Sequence, residues 1–336
     1  MRRFLTPGKL LVAFLVLVAV GIGLLFVIPD KGSYIFLPDQ PHPVEPLISV
    51  QSGKPGDGSG GIYFVDVFVR KPSIAESLFP GLLHDGASLV PAKAVNPTGL
   101  SEQQRRSSSL QMMARSQDVA AAVALRQAGY KIQTSQTGAL VTDVLPGTPA
   151  AAVLRPSDVI AEIDGTRVTT LASLRSVLAR KHPGDRVTIV VRRAGKRLRL
   201  QLRLAPDPND AQRALIGVLV EQAASIKLPL RVSIDTGNVG GPSAGLALAL
   251  GVLEELGRDV DHGRRVAATG EIALDGTVGP VGGIKQKVVG ARQGGIQLFL
   301  VPAGDNAKEA RRYAEGMRVV AVQSFQQALR ALATTS

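Results

Sequence analysis

The chain has 336 residues, no cysteine, and a formal net charge of +12 at pH 7. Without cysteine it forms no disulfide and no thiolate metal site, and its four histidines are not spaced as zinc ligands, so we predict no metal and no cofactor. Two explanations of the positive charge are open: a basic surface that is simply solvated, or contact with anionic membrane lipid. Aromatic residues make up only 4% of the chain and no nucleic-acid-binding motif is present, so we predict no nucleic-acid partner.

The first element is an apolar segment, Leu10 to Ile28, that contains no charged residue. At 1.5 Å per residue a helix of this length spans about 28 Å, close to the hydrocarbon core of a bilayer. Arg2, Arg3 and Lys9 precede it, so the positive-inside rule places the N-terminus in the cytoplasm. A cleaved signal peptide is the alternative, but the apolar run is too long and no clear A-x-A site follows. We predict a single-pass anchor in the cell membrane with the catalytic domain extracytoplasmic.

The next stretch mixes flexible and regular segments. Residues 30–57 are rich in Pro, Gly and Asp, which predicts a linker. The β-branched and aromatic run Ile62–Val69 predicts one buried strand, and a second strand is expected near Ser88–Pro91. Apolar residues then recur at helical spacing from Ser109 to Gln127, and Gly129 ends that helix.

Residues 130–205 alternate short strands and helices in one compact unit. Leucines at 198, 200, 202 and 204 alternate with polar residues, which is typical of a half-buried strand. The predicted strands are 139–144, 158–165, 187–193 and 197–204, and the predicted helices are 148–154 and 171–178.

This unit resembles a PDZ domain of the type associated with bacterial proteases. The resemblance is carried by Gly138-Ala139-Leu140-Val141, Pro146-Gly147-Thr148-Pro149-Ala150, Asp158-Val159-Ile160, Asp164-Gly165 and Pro183-Gly184-Asp185. One departure is Arg155-Pro156-Ser157, where such domains usually carry a glycine before the Asp. The resemblance implies that a peptide adds as a strand to the 139–144 edge beside the 171–178 helix. The implied groove residues are Gly138, Ala139, Leu140, Val141, Leu171 and Leu174.

A candidate nucleophile follows the polar linker at 206–210. Ser243 sits in the tight frame Gly240-Gly241-Pro242-Ser243-Ala244-Gly245, ahead of an apolar helix. The frame formally matches the G-x-S-x-G elbow of α/β-hydrolases, but that enzyme class needs a late histidine after an acid. His262 is the only histidine after Ser243, so this alternative fits poorly.

A lysine is the better candidate for the base. Gly282-Gly283 begins a helix that carries Lys285 and Lys287, both with apolar neighbours, so periodicity does not choose between them. A lysine base must be neutral, which requires its pKa to fall by roughly three units from about 10.4, and burial is the plausible cause.

The combined frame resembles the proteolytic domain of the Lon peptidases. It comprises Gly241-Pro242-Ser243-Ala244-Gly245, Thr269-Gly270-Glu271-Ile272, Gly282-Gly283-Ile284-Lys285-Gln286-Lys287 and Val301-Pro302. The resemblance implies that Ser243 is the nucleophile, Lys287 the general base, and Thr269 a residue that helps hold the lysine. Gly240 stands where the family often has Asp. Pro242 has no N–H, so the Ser243 amide is the expected oxyanion donor.

The whole arrangement resembles the YlbL-type Lon-like proteases of bacteria, with the PDZ unit inserted into the peptidase. The expected fold is an α/β (α+β) Lon-type proteolytic domain with a mainly β PDZ insertion and one N-terminal transmembrane helix. The sequence contains no G-x-x-x-x-G-K-[ST], so we expect a Ser-Lys endopeptidase that is independent of ATP and acts on protein or peptide substrates. An inactive PDZ scaffold is the alternative, and the family resemblance implies a homo-oligomer, commonly a hexamer. The expected segments are 1–9 cytoplasmic, 10–29 anchor, 30–57 linker, 58–128 first peptidase part, 129–206 PDZ and 213–333 catalytic.

Overall fold

The computed structural model describes residues 7–51, 53, 60–97 and 99–334. Its first helix, α1 (Pro7–Val27), contains the apolar window Leu10–Val27, with a mean hydropathy of 3.2 and nothing buried inside the protein. Apolar side chains project openly from it, with Leu17 72% exposed. The helix is long and apolar enough to cross a bilayer, which agrees with the predicted membrane segment.

The remaining elements alternate between strands and helices. The later helices are α2 Ile74–Leu78, α3 Pro80–Leu83, α4 Ala92–Val95, α5 Glu102–Gln127, α6 Leu171–Leu178, α7 Gly245–Glu255, α8 Ile284–Gln293, α9 Asp305–Tyr313 and α10 Phe325–Thr334. The strands are β1 Ser33–Pro38, β2 His42–Pro43, β3 Ile48–Val50, β4 Gly61–Phe64, β5 Val67–Arg70, β6 Ser88–Pro91, β7 Gln133–Val144, β8 Val159–Ile163, β9 Thr166–Arg167, β10 Arg186–Arg193, β11 Lys196–Arg203, β12 Ala205–Asp207, β13 Asp210–Leu215, β14 Val218–Lys227, β15 Val232–Ile234, β16 Arg265–Ala268, β17 Glu271–Ile272, β18 Val278–Gly279, β19 Leu298–Pro302 and β20 Arg318–Val322.

A five-stranded sheet with the order β2-β4-β16-β19-β20 forms the centre of the peptidase part. β4, β16, β19 and β20 are parallel, and β2 is antiparallel. Successive residues of a strand face opposite sides of a sheet. Leu298 and Leu300 accordingly pack with α5, α7 and α10, whereas Phe299 and Val301 pack with α8 and α9. The sheet is therefore covered on both faces, as buried parallel sheets usually are.

The predicted linker is wrong over residues 33–50. β1 lies between β5 and β6, β2 pairs with β4, and β3 pairs with β15. This stretch is part of the fold because Ile35 and Val44 are fully buried in the protein. The surrounding Pro and Gly residues led to the prediction of a linker. Within the remainder of 30–57, residues 52 and 54–57 lie outside the described residues.

Two other early predictions need adjustment. The single strand expected over 62–69 is divided into β4 and β5, which belong to different sheets, while the strand at Ser88–Pro91 is confirmed as β6. The helix expected from Ser109 begins at Glu102, because Ser101 and Gln104 form a capping box there.

The PDZ-like unit, residues 133–227, is a sheet with the order β11-β10-β8-β7-β14 and the helix α6. Leu174 and Val177 of α6 join one apolar core with the strands. β14 lies in the segment expected to be catalytic, 213–333, and it pairs antiparallel with β7 along its full length. Ile216, Val218 and Val220 also pack on this unit's core, and the boundary expected between 206 and 213 stays a prediction.

The departure at Ser157 has a visible consequence in this unit. Ser157 has a φ of +74°, a left-handed conformation that favours glycine. The next residue, Asp158, is fully buried, and Arg193 holds it through Nε and Nη2, each 2.7 Å from a carboxylate oxygen. The fold thus accommodates the departure, and this bidentate ion pair anchors the turn.

Candidate active site

The helix α5 holds the loop that presents the candidate nucleophile. Gly241, with a φ of +86°, precedes a short 3-10 turn over Pro242–Ala244 that leads into α7. The Gly241 amide donates to the Ser109 carbonyl at 2.8 Å, and Ser116 Oγ donates to the Pro242 carbonyl at 3.2 Å. Both contacts come from α5, for which the sequence indicated only an amphipathic helix.

Lys287 lies beside the candidate nucleophile and is only 3% exposed. Its Nζ is 2.8 Å from Ser243 Oγ, 2.8 Å from the Val65 carbonyl and 3.2 Å from Thr269 Oγ1. Lys285 lies elsewhere, since its Nζ donates to the Ala87 carbonyl at 2.9 Å. Geometry thus distinguishes the two lysines, which periodicity could not do.

Thr269 connects the lysine to the backbone of the nucleophile. Its Oγ1 donates to the Ser243 carbonyl at 3.1 Å, and the amide of Gly270 donates to the same carbonyl at 2.9 Å. The hydroxyl proton is used in that bond, so Oγ1 accepts from Lys287. Val65 and Thr269 follow the neighbouring parallel strands β4 and β16, so the site lies at the carboxyl end of the central sheet.

These contacts fit a neutral lysine. Burial lowers the pKa of Lys287 from its ordinary value to about 8, although the Asp66 carboxylate opposes this. A neutral amine has two N–H groups and one lone pair. The Val65 carbonyl and Thr269 Oγ1 are both acceptors for the two N–H groups, which leaves the lone pair to face Ser243 Oγ.

Asp66 is a residue that the sequence reasoning missed. Burial and the neighbouring Asp39 raise the pKa of its carboxyl, whereas His42 and Lys287 lower it. His42 Nε2 lies 3.3 Å from Asp66 Oδ1. No local motif marks Asp66. It lies at the break between β4 and β5, and only the folded chain brings its carboxylate close to Lys287.

Two groups of side chains among the described residues could in principle offer ligand atoms to a metal ion. One is Asp39, His42 and Asp66, and the other is Glu254, Asp259 and Asp261. The expectation that the chain binds neither metal nor cofactor stays a prediction.

The predicted peptide groove is wrong in its position. β14 pairs with one edge of β7 over residues 133–144, while β8 pairs with the other edge at Ala139 and Leu140, and Val141 is hydrogen-bonded to the backbone of Ser157 and Asp158. Gly138, Ala139, Leu140 and Val141 therefore have no free edge to offer. On α6, Leu174 is buried in the unit's core, and the Leu171 amide donates to Gln222 Oε1 of β14. The error arose because β14, the missing neighbour, lies about eighty residues away in the sequence.

Another part of the same unit does offer an edge. Within the described part of the chain, β14 ends the sheet, and no strand pairs with its outer side. A cavity of about 660 Å³ lies between α6 and the segment before β14, lined by Arg175, Leu178, Ala179, Arg213, Ala214 and Leu215.

Two family models match separate parts of the chain. Residues 222–334 match the family model described as Lon protease (S16) C-terminal proteolytic domain, and residues 117–204 match PDZ domain. The chain is 35% identical over 91 residues to Lon protease 2 of Bacillus subtilis, covering 27% of this chain and 16% of that protein. It is 43% identical over 93 residues to Lon protease of Desulforamulus reducens, covering 27% and 11%. The chain thus spans about a sixth or less of these curated relatives.

Two solved structures each cover about a quarter of this chain. The PDZ domain of the SdrC-like protein from Listeria monocytogenes is 28% identical, with a TM-score of 0.23, covering 25% of this chain and 86% of that chain. A solution structure from Geobacillus thermodenitrificans is 36% identical, with a TM-score of 0.23, covering 25% and 97%.

Proposed function

Because this chain carries a Lon-type proteolytic domain and a PDZ domain, we propose that it is a membrane-anchored serine endopeptidase with a Ser243–Lys287 dyad. The observation that carries the proposal is the 2.8 Å separation of Ser243 Oγ and a buried Lys287 Nζ. A nucleophile within hydrogen-bond reach of its base is what covalent acyl transfer requires. The arrangement of domains resembles that of the YlbL-type Lon-like proteases.

The chemistry follows from the hydrogen bonds around the lysine. As Ser243 Oγ attacks the peptide carbonyl carbon, its proton passes to the Lys287 lone pair, and the carbonyl becomes a tetrahedral oxyanion. The C–N bond then breaks, Lys287 returns the proton to the leaving amine, and an ester remains on Ser243. Water attacks the ester with Lys287 again as base, and the proton returns to Ser243 Oγ. The Ser243 amide remains the expected donor to the oxyanion.

Thr269 has a positioning role in this proposal. It accepts from Lys287 and donates to the Ser243 carbonyl, so it fixes the distance between base and nucleophile. Asp66 adds a negative charge beside the lysine, and it therefore opposes loss of the lysine proton. The balance of burial and this charge keeps the base available near neutral pH.

The location and partners are part of the same proposal. Three basic residues before the apolar helix favour a cytoplasmic N-terminus, so the peptidase would meet extracytoplasmic or membrane proteins without ATP. The PDZ unit would recruit substrate at the outer edge of β14, where an extended peptide finds free main-chain groups. Arg175 lines the cavity between α6 and β13 and favours an acidic group in it, such as a terminal carboxylate, whereas Arg213 is paired with Asp207. A homo-oligomer, such as a hexamer, is proposed on the family resemblance alone.

Labelling by a serine-acylating phosphonate probe tests the proposal against an inactive scaffold. The purified full chain in detergent should gain one probe mass on Ser243, and the Ser243→Ala chain should gain none. Labelling should also fall in Lys287→Ala, because the hydroxyl then has no base. An unlabelled chain that still binds peptides would favour the scaffold.

A further inference from the structure

A second cavity, which we call the interdomain cavity, lies where the PDZ-like unit meets the peptidase. Its volume is about 130 Å³. Met112 and Val119 of α5 line it on one side, Leu140 of β7 on another, and Ile272 of β17 closes it. The apolar walls therefore come from both domains, and the cavity exists only while the two are packed together.

The interdomain cavity adjoins the residues of the proposed dyad. Pro242, which lines it, directly precedes Ser243. Glu271 follows Gly270, whose amide is bonded to the Ser243 carbonyl, and Thr269, which contacts Lys287. Residues that line the cavity are therefore direct chain neighbours of Ser243 and of the residues that contact the dyad.

Charge distinguishes this cavity from an ordinary apolar pocket. Two carboxylates, Glu221 of β14 and Glu271 of β17, line it with a single cation, Arg115 of α5. Within the described residues no ion pair joins Arg115 to either carboxylate, and its Nη2 lies 3.5 Å from the Gln222 carbonyl. Both glutamates keep part of their surface in contact with solvent, although the Glu271 carboxyl is partly desolvated. The lining therefore carries a surplus of negative charge.

The environment of Glu271 supports the same conclusion. Burial raises the pKa of its carboxyl, and the neighbouring Glu221 adds to that effect, while Arg115 only partly offsets it. Two like charges near apolar walls are relieved by an incoming cation. An acidic substrate side chain would increase the repulsion, and a purely apolar one would leave it unchanged.

We propose that the interdomain cavity binds a lysine or arginine side chain of the substrate, at a residue flanking the scissile bond. The inference rests on the proposed peptidase function and adds the substrate class. Met112, Val119, Leu140 and Ile272 contact the methylene groups of such a side chain, and Glu221 and Glu271 bind its charged end. Because the PDZ-like unit supplies Leu140 and Glu221, it takes part in cleavage-site selection as well as in substrate capture.

Matched peptides test the inference without any change to the protein. The full chain in detergent is given unstructured peptides that differ only at the two residues flanking the cleaved bond, where lysine is compared with norleucine, its uncharged analogue. We expect kcat/KM to favour lysine at one of these positions by about tenfold, equivalent to about 1.4 kcal/mol. Glutamate at that position should be the poorest substrate.

Variants assign the preference to the two carboxylates. Glu271→Gln and Glu221→Gln should each lower the lysine-to-norleucine ratio at least about threefold, or about 0.7 kcal/mol, and the double variant should remove it. Glu271→Lys should shift the preference toward glutamate. Glu309→Gln on α9, distant from the cavity, is the matched control and should keep the full ratio.

The possible outcomes distinguish failure of this inference from failure of the proposed peptidase function. Cleavage that survives Ser243→Ala would overturn the proposed peptidase and this inference with it. Cleavage that depends on Ser243 but treats lysine and norleucine equally would overturn the inference alone. A lysine preference that persists in the folded double variant, with an unchanged melting temperature, would also overturn it.

Discussion

The protonation of Lys287 offers a quantitative prediction. Its pKa falls from an ordinary 10.5 to about 8 because the side chain is buried, which disfavours the ammonium form by about 3 kcal/mol. Only the neutral amine accepts the Ser243 proton. At pH 7 about one-tenth of the lysine is neutral and at pH 9 about nine-tenths, so kcat/KM should rise about tenfold over that range.

Asp66 supplies the perturbation for this prediction. Its carboxylate raises the pKa of Lys287, so Asp66→Asn should move the midpoint of the rate profile to lower pH and increase the rate at pH 7. His42 and Asp39 also affect the pKa of Asp66. His42→Asn tests whether His42 influences the midpoint through Asp66. Asp305→Asn, on the exposed surface of α9, is the matched control and should leave the midpoint in place.

The assay is cleavage of one uncharged, unstructured peptide from pH 6 to pH 10, with circular dichroism to confirm that the fold persists. A single ionisation near pH 8 is the expected result. A flat profile, or a midpoint near the ordinary 10.5, would refute the assignment of Lys287 as the base. An unchanged midpoint in Asp66→Asn would refute the electrostatic role of that carboxylate.

Four further outcomes follow, three from individual residues and one from the proposed membrane orientation. Thr269→Val removes the hydroxyl between Lys287 and Ser243, so kcat for a short peptide should fall about tenfold or more, whereas Thr269→Ser should retain most of it. Ser157→Gly relieves a φ of +74° and should raise the free energy of unfolding in urea by about 1 kcal/mol. Arg175→Glu should raise KM for a protein substrate captured through its terminal carboxylate, and Arg312→Glu should not. Protease added to intact spheroplasts should degrade residues 60–334, and full protection there would contradict the proposed orientation.

The features that the sequence predicted correctly are those defined by short, local motifs. The frame around Ser243 and the glycine-launched helix of Lys287 are short, and their order and spacing are specific. α6 was placed correctly at Leu171–Leu178 because apolar positions and turn residues delimit it. The apolar run at the N-terminus similarly defined α1 within about three residues.

The predictions that failed concern residues whose contact partners are distant in the sequence. β1 and β3 look like linker because each is short and surrounded by Pro and Gly, and their strand partners lie elsewhere in the chain. β14 reads as an ordinary apolar strand, and nothing local shows that it completes the PDZ-like sheet beside β7. The same applies to Asp66, whose proximity to Lys287 arises from the packing of β4 against the end of β16.

The identity of the catalytic pair is tested most directly by turnover of an unstructured protein substrate without ATP. The full chain in detergent is compared with Ser243→Ala, Lys287→Ala, the double variant and Lys285→Ala. The two single variants should each abolish turnover while the fold is retained, and the double variant should be no worse, because the pair acts as a unit. Lys285→Ala should keep substantial activity, since its Nζ is bonded to the Ala87 carbonyl instead. Activity that survives Lys287→Ala but is lost in Lys285→Ala would contradict the account.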